Sequence, residues 1–353
     1  MESLPVRTDA PDAAVIARAA ARLRDGGLVA FPTETVYGLG AHALDAEAVA
    51  RIYATKGRPA HNPVIVHVAD VAGARAVTAS WPPIAARLAD AYWPGPLTLV
   101  LPRAATVPDI VTAGLDRVGV RVPAHPVALA LLRAAGIPVA APSANASDRI
   151  SPTTAAHVIA SLGDTADVLV LDGGASDVGI ESTVLEVSGD VPLLLRPGGV
   201  SRESLAATLG VEVAVHAAVR AAIGVGDAGD GAADRDDDAP RAAPGMLRRH
   251  YAPRAQLVLV AHADPHALRA ALAAAHAAHG DAVGALTVGA SPIAPSTAVH
   301  EVMPADPAAY ARRLYAALHA MDARGVRTLV VERVPDGAAW DGVRDRLARA
   351  AVS

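Results

Sequence analysis

The sequence predicts an α/β protein in two parts: an N-terminal twisted mixed sheet with helices, and a smaller C-terminal Rossmann-like parallel α/β domain. Three observations predict it. The chain has 353 residues, too many for one ordinary domain and suited to two. Hydrophobic residues make up 52% but aromatics only 3%, so the core must be Val, Leu, Ile and Ala, which suits packed α/β layers. Short apolar runs alternate with helical patterns along the chain, and their spacing differs between the two parts.

In the first part, residues 12–24 carry apolar side chains at helical spacing, and Asp25-Gly26-Gly27 stops the helix. Residues 28–31 form a buried strand ended by Pro32. A helix over 46–55 follows a cap at Asp45, and 64–68 read as strand after Asn62-Pro63. A helix over 84–92 stops at Trp93-Pro94-Gly95-Pro96. Strands follow at 97–101 and 118–122, then a helix over 127–135 and a strand at 139–141. Further strands are expected at 168–171, 182–187 and 193–196. Several of these strands are joined by turns too short for a helical crossover, which requires a mixed sheet.

Residues 226–240 hold six aspartates among Gly and Ala, a composition that cannot bury a core. We therefore expect a first domain over 1–210, a flexible linker over 211–255 and a second domain over 256–353. In the second, strands at 256–260, 283–288 and 328–331 alternate with helices at 265–279, 307–321 and 337–351. Such alternation predicts a parallel sheet.

The net charge of −5 argues against bulk nucleic-acid binding, so any polyanion must meet a local basic pocket. There are no cysteines, which excludes disulfides, thiolate zinc sites and thiol nucleophiles. The N-terminal residues lack an apolar signal core, and no run is long and apolar enough to span a bilayer. The expected location is cytoplasmic.

Two dinucleotide-type fingerprints carry little weight. Gly38-Leu39-Gly40-Ala41-His42-Ala43 has no helix starting at its glycines, and Gly224-Val225-Gly226-Asp227-Ala228-Gly229 adjoins the aspartates, which would repel a pyrophosphate. Lys56-Gly57-Arg58-Pro59 is more informative. Its two cations flank a glycine at a helix end, which suits a triphosphate but also suits a helix C-terminus. Arg121 ends an apolar strand and needs a partner, either a substrate carboxylate or a structural Asp or Glu. Ser143, Asn145 and Ser151 follow a strand, where they can read phosphates or merely form turns. Ser182 and Arg196 lie at other strand ends. His67 reads as a hydrogen-bonded core histidine, and His276 and His279 as surface residues. No carboxylate pair, triad or metal cage emerges. The pattern suits positioning and charge neutralisation of an anionic ligand.

Taken together, these segments resemble the YrdC family of threonylcarbamoyl-AMP synthases. The matching stretches include Pro32-Thr33-Glu34-Thr35, Lys56-Gly57-Arg58-Pro59, Trp93-Pro94-Gly95-Pro96, Arg121-Val122-Pro123, Ser143-Ala144-Asn145, Ser151-Pro152-Thr153-Thr154, Glu181-Ser182-Thr183-Val184 and Leu195-Arg196-Pro197-Gly198. Pro244-Gly245-Met246 and His250-Tyr251-Ala252-Pro253 resemble the linker of the long, two-domain members, whose C-terminal domain is Rossmann-like. The resemblance implies a YrdC-like first domain and synthesis of threonylcarbamoyl-AMP from L-threonine, bicarbonate or CO2, and ATP. Pyrophosphate is released, and the product serves N6-threonylcarbamoyladenosine formation in tRNA. It implies a threonine site at Thr35, His67, Arg121, Ala141 and Ser182. It implies an ATP site at Lys56, Arg58, Asn62, Ser143, Asn145, Ser151, Arg196 and Tyr251, with Lys56, Arg58, Ser143 and Asn145 as the catalytic signature. Mg2+ would travel on the phosphates with no protein side-chain ligand. A downstream threonylcarbamoyl transferase complex would be the partner, and direct tRNA contact stays open. Arg117 stands where the family usually has an ATP-contacting Thr, and 246–250 departs from the commoner wording.

Rival readings are a double-stranded RNA-binding or ribosome-assembly module, a carbamoyltransferase, and an NAD-binding protein through the C-terminal domain. Net charge −5 opposes the first, and the absence of the zinc-finger cysteines of hydrogenase-maturation proteins opposes the second.

Overall fold

The structure, a computed structural model, describes residues 1–59, 61–163, 166–189, 191–224, 241–247, 249–289 and 299–352. Fifteen strands among the described residues form two sheets. The first is built from β1 (Glu2–Pro5), β2 (Leu28–Phe31), β3 (Gly38–His42), β4 (Val66–His67), β5 (Leu97–Pro102) and β6 (Arg117–Arg121). It continues with β7 (Val139–Ala140), β8 (Val168–Asp172), β9 (Thr183–Glu186), β10 (Leu193–Arg196) and β11 (Ala214–Val215). Their order is β1-β8-β2-β3-β7-β4-β6-β5-β9-β10-β11. Parallel pairs such as β4 with β6 alternate with antiparallel ones such as β2 with β3, so the sheet is mixed as the short turns require. The second sheet has β12 (Gln256–Val260), β13 (Val283–Val288), β14 (Val299–Met303) and β15 (Thr328–Glu332) in the order β12-β15-β13-β14. All its pairs are parallel.

The helices begin and stop for local reasons. Asp12 caps Ala13–Arg24 by accepting from the amides of Ala14 and Val15 at 2.9 and 3.0 Å. Its Ile16, Ala19, Ala20 and Leu23 form the buried stripe. Asp45 caps Ala46–Lys56, and Gly57 ends it in the left-handed region at φ 59°. That stop turns the chain sharply between Lys56 and Arg58.

Several elements differ from the sequence expectation. The strand expected over 64–68 narrows to Val66–His67 because the Val64 amide donates to Val111 O instead of to a neighbouring strand. The first glycine fingerprint is a strand. A Cβ on Gly40 would lie 2.8 Å from the Phe31 ring and 2.9 Å from Val139, so glycine permits the close packing there. Helices at Val71–Val77, Ala155–Leu162 and Arg202–Leu209 and strands β1 and β14 were not anticipated. Within 211–255, residues 214–215 pair as β11 with β10, and helix Ala217–Ile223 packs on helix Asp341–Ala350. The aspartate run over 226–240 lies outside the described residues, as does most of the second glycine fingerprint.

The two sheets share a hydrophobic cluster. Val36, Ile150, Ile180 and Tyr251 pack with Tyr310, Leu314, Tyr315, Leu318 and Trp340 from the second. Gly179 makes the approach close, since a Cβ there would lie 2.4 Å from Arg312 Cα. Residues 241–246 lie as a strap on the first sheet, where Ala243 and Met246 pack with Ile65, Val100, Val184 and Leu195.

Candidate active site

The ends of β4, β6 and β9 and the loops after β2 and β7 converge on one cavity of about 50 Å³. Thr35, Arg58, His67, Arg121, Ala141, Ser143, Ser182, Arg196 and Tyr251 line it. Lys56, Asn62, Asn145 and Ser151 are buried in the layer behind that lining. The strap and the residues after it, Pro244, Gly245, His250 and Tyr251, complete the enclosure.

Lys56 joins the two signature segments through the backbone. Its Nζ donates to Ser143 O at 2.5 Å and also to Asn145 O. Burial, then the nearby Arg58 charge, pushes the ammonium well below its ordinary pKa. Arg58 donates Nε to Asn62 O at 3.1 Å and Nη2 to Pro63 O at 2.7 Å. Burial lowers its pKa to about 10, so it stays cationic at neutral pH. The amide group of Asn62 is fully buried with no hydrogen-bond partner at either atom.

Arg121 meets the structural-acid alternative left by the sequence and also lines the cavity. Its Nη2 lies 2.5 Å from Glu34 Oε1, an ion pair at an angle that does not make a hydrogen bond. Nη1 donates to Thr35 Oγ1 at 2.9 Å and Nε to Gly95 O at 3.0 Å. The guanidinium therefore has a structural acid and still faces the cavity. His67 is buried as the reading as a core histidine requires, while its Nδ1 has no hydrogen-bond partner. Burial and the Arg121 charge hold its pKa at about 3, so the ring is neutral at physiological pH.

Ser182 Oγ lies 2.8 Å from Thr98 Oγ1 and accepts from Arg196 Nη2 at 3.1 Å. Arg196 also donates Nη1 to Pro244 O at 3.1 Å, fastening the strap. Ser151 Oγ donates to Glu181 Oε1 at 2.5 Å. Tyr251 is 1% exposed, adopts φ 60° and leaves its hydroxyl without a partner. A side chain at Gly245, itself at φ 85°, would place its Cβ 2.3 Å from that hydroxyl. Arg117 does not line this cavity; its Nη1 pairs with Glu186 Oε1 at 2.7 Å.

Sequence reasoning assigned no role to Glu181, Thr33, Gly245 or His250, which also line the cavity. Glu181 was in view within its motif, but nothing local marks a buried carboxylate. Burial alone would raise its pKa; the charges of Arg346 and Arg196 and the Ser151 hydrogen bond prevail and hold it at about 2. Among the described residues no group of three acidic or histidine side chains could hold a metal. Glu181 accepts from three donors, so the lining offers cations and hydroxyls for an anion.

Comparison with known proteins follows the same division. Residues 21–198 match the family described as Telomere recombination, and residues 200–352 match the one described as Threonylcarbamoyl-AMP synthase, C-terminal domain. The threonylcarbamoyl-AMP synthase of Pyrococcus abyssi is 40% identical over 338 residues, covering 94% of this chain and 92% of the relative. That of Bacillus subtilis is 46% identical over 245 residues, covering 69% of this chain and 66% of the relative. The crystal structure of Sua5 from P. abyssi complexed with L-threonine superposes with a TM-score of 0.87 at 39% identity, covering 99% of this chain and 98% of that one. The chain belongs to the threonylcarbamoyl-AMP synthase family.

Proposed function

We propose that the chain makes L-threonylcarbamoyl-AMP from L-threonine, bicarbonate or CO2, and ATP, releasing pyrophosphate. One observation carries the reading: Thr35, His67, Arg121 and Ser182 share a single cavity with Arg58, Ser143 and Arg196, in a chain of this family. Threonine's amine adds to CO2 and loses a proton, giving a carbamate. A carbamate oxygen then attacks the α-phosphorus as the bond to the bridging oxygen breaks and pyrophosphate leaves. The substrate supplies its own nucleophile, so no Ser, Cys or His triad is needed.

The residues act by position and charge. Arg121 takes the threonine carboxylate, with Thr35, Ser182 and the Ala141 backbone around the amino acid. Neutral His67, with Nδ1 free, orients the ligand and is too weakly basic to take its proton at neutral pH. Arg58, Ser143 and Arg196 meet the phosphates. Lys56, Asn62, Asn145 and Ser151 hold that wall from behind. Mg2+ carried on the nucleotide's phosphates would neutralise part of their charge, with no side chain of this chain as its ligand. The cavity of about 50 Å³ is smaller than the roughly 300–1,000 Å³ of small-molecule sites, so Tyr251 and the strap withdraw to admit both substrates.

The product's use is threonylcarbamoylation of tRNA through a separate transferase in the cytoplasm. No helix among the described residues is long and apolar enough to cross a membrane. Pyrophosphate release from ATP should require both L-threonine and bicarbonate. Release that ignores threonine would refute the assignment.

A further inference from the structure

The cavity lies on the first sheet, but its carboxylate is held from the second. Glu181 is 6% exposed and accepts from Ser151 Oγ at 2.5 Å, Tyr315 Oη at 2.9 Å and Arg346 Nε at 2.8 Å. Two of those three donors stand on helices Pro307–Ala323 and Asp341–Ala350. Arg346 is 1% exposed. Its Nη1 donates to Pro197 O at 2.8 Å, beside Arg196, and its guanidinium carbon stands 5.0 Å from the centroid of the Tyr251 ring. Asp345, fully buried, accepts from Arg346 Nη1 at 3.0 Å and from Arg349 Nε at 2.9 Å. Arg349 in turn donates to Leu247 O at 2.7 Å, just past the strap. One side chain of the second unit thus touches Tyr251 itself and the immediate neighbours of Ser182 and Arg196, and shares the Glu181 carboxylate with Ser151.

An apolar pair would pack two units together at least as well as a buried ion pair, whose desolvation cost offsets much of its attraction. What the charged pair adds is direction. A guanidinium fork fixes a carboxylate, a carbonyl and a stacked ring at once, which a hydrophobic contact cannot do.

We propose that Arg346 is a positioning residue of the active site, supplied by the second unit, that fixes Glu181 and Tyr251 together and keeps the strap closed over the cavity. Its effect on turnover rests on the synthase reading; its effect on the strap does not.

The test uses the full chain. Arg346→Gln alone strands the Glu181 charge and can unfold the protein. The informative variant therefore pairs Arg346→Gln with Glu181→Gln, neutral at both positions, with folding checked by circular dichroism and melting temperature. Trypsin cleavage after Arg249, followed by mass spectrometry without substrates, reads the strap. The double variant should be cut about tenfold faster than the parent, because a larger open population is exposed. Its kcat/KM for ATP in threonine-dependent pyrophosphate release should fall by about tenfold or more. Leu272→Ala, a core change in the helix Pro265–His279, controls for plain destabilisation and should leave cleavage at Arg249 at the parental rate. A folded double variant cut no faster than the parent overturns the proposal. Loss of threonine dependence in the parent would sink the synthase reading and leave the strap result standing.

Discussion

Lys56 and Arg58 are two residues apart and do different things. The sequence made both cations visible, because a Lys-Gly-Arg turn at a helix end is a recognisable charge pattern. It could not separate them, because Lys56 bonds two backbone carbonyls, and carbonyls have no signature in a sequence. Lys56→Ala leaves those carbonyls without a buried donor, and Arg58→Ala removes a cation from the lining. Each should lower turnover about tenfold or more, since losing a charge-assisted contact costs about 1.5–3 kcal/mol. Steady-state pyrophosphate release checks this, and unchanged rates would leave the turn a plain helix terminus. His67 was legible as buried, but its open Nδ1 was not. Its folded pKa of about 3 lies below the ordinary 6.5, so its neutral form is the folded one. That contribution is complete above pH 6.5 and is lost as pH falls from 6.5 toward 3. The expected slope is about 1.4 kcal/mol per pH unit for this one proton. Urea unfolding of His67→Gln at pH 7 and pH 5 should show a shallower acid loss than the parent. An unchanged slope would contradict the burial argument.

At the scale of elements, strand and helix positions in the first 200 residues were largely readable from apolar period and from the cap at Asp45. The misses share a cause. Strand β3 has two glycines and hid as a loop motif, while β4 lost length because its neighbours bond outside the ladder. Such decisions are made by partners far away in sequence. The turn after β10 gives a test of close packing. A Cβ on Gly198 would lie 2.3 Å from Glu181 O and 2.5 Å from Thr183 N, both backbone atoms that cannot rotate away. Gly198→Ala should therefore destabilise by about 3 kcal/mol, in the upper range for strained substitutions. Thermal unfolding would show it, and a melting temperature equal to the parent's would mean that the turn gives way freely.

For the whole molecule, the sequence showed the second unit's alternating elements but not its reach into the site. Arg346 lies in a helix rich in charge, a composition that reads as a solvated face, yet the side chain is buried. Removing residues 225–353 would expose Val36, Ile150 and Ile180 and take two of three donors from Glu181. A chain of residues 1–224 should melt lower than the full chain and lose most pyrophosphate-releasing activity. Full activity of that fragment would show that neither Tyr251 nor Arg346 is needed.

The strap has a consequence for the life of the product. A mixed anhydride of a carbamate and a phosphate is open to attack by water. The closed cavity of about 50 Å³ is too small for the adenylate, so shielding the product requires Tyr251 and the strap to settle around it after admitting the substrates. With the strap settled in that way as a roof, its opening should pace delivery of the product more than bond-making does. Friction should govern such a step, so kcat should fall as sucrose raises solvent viscosity, and a viscosity-independent kcat would place the slow step in the chemistry.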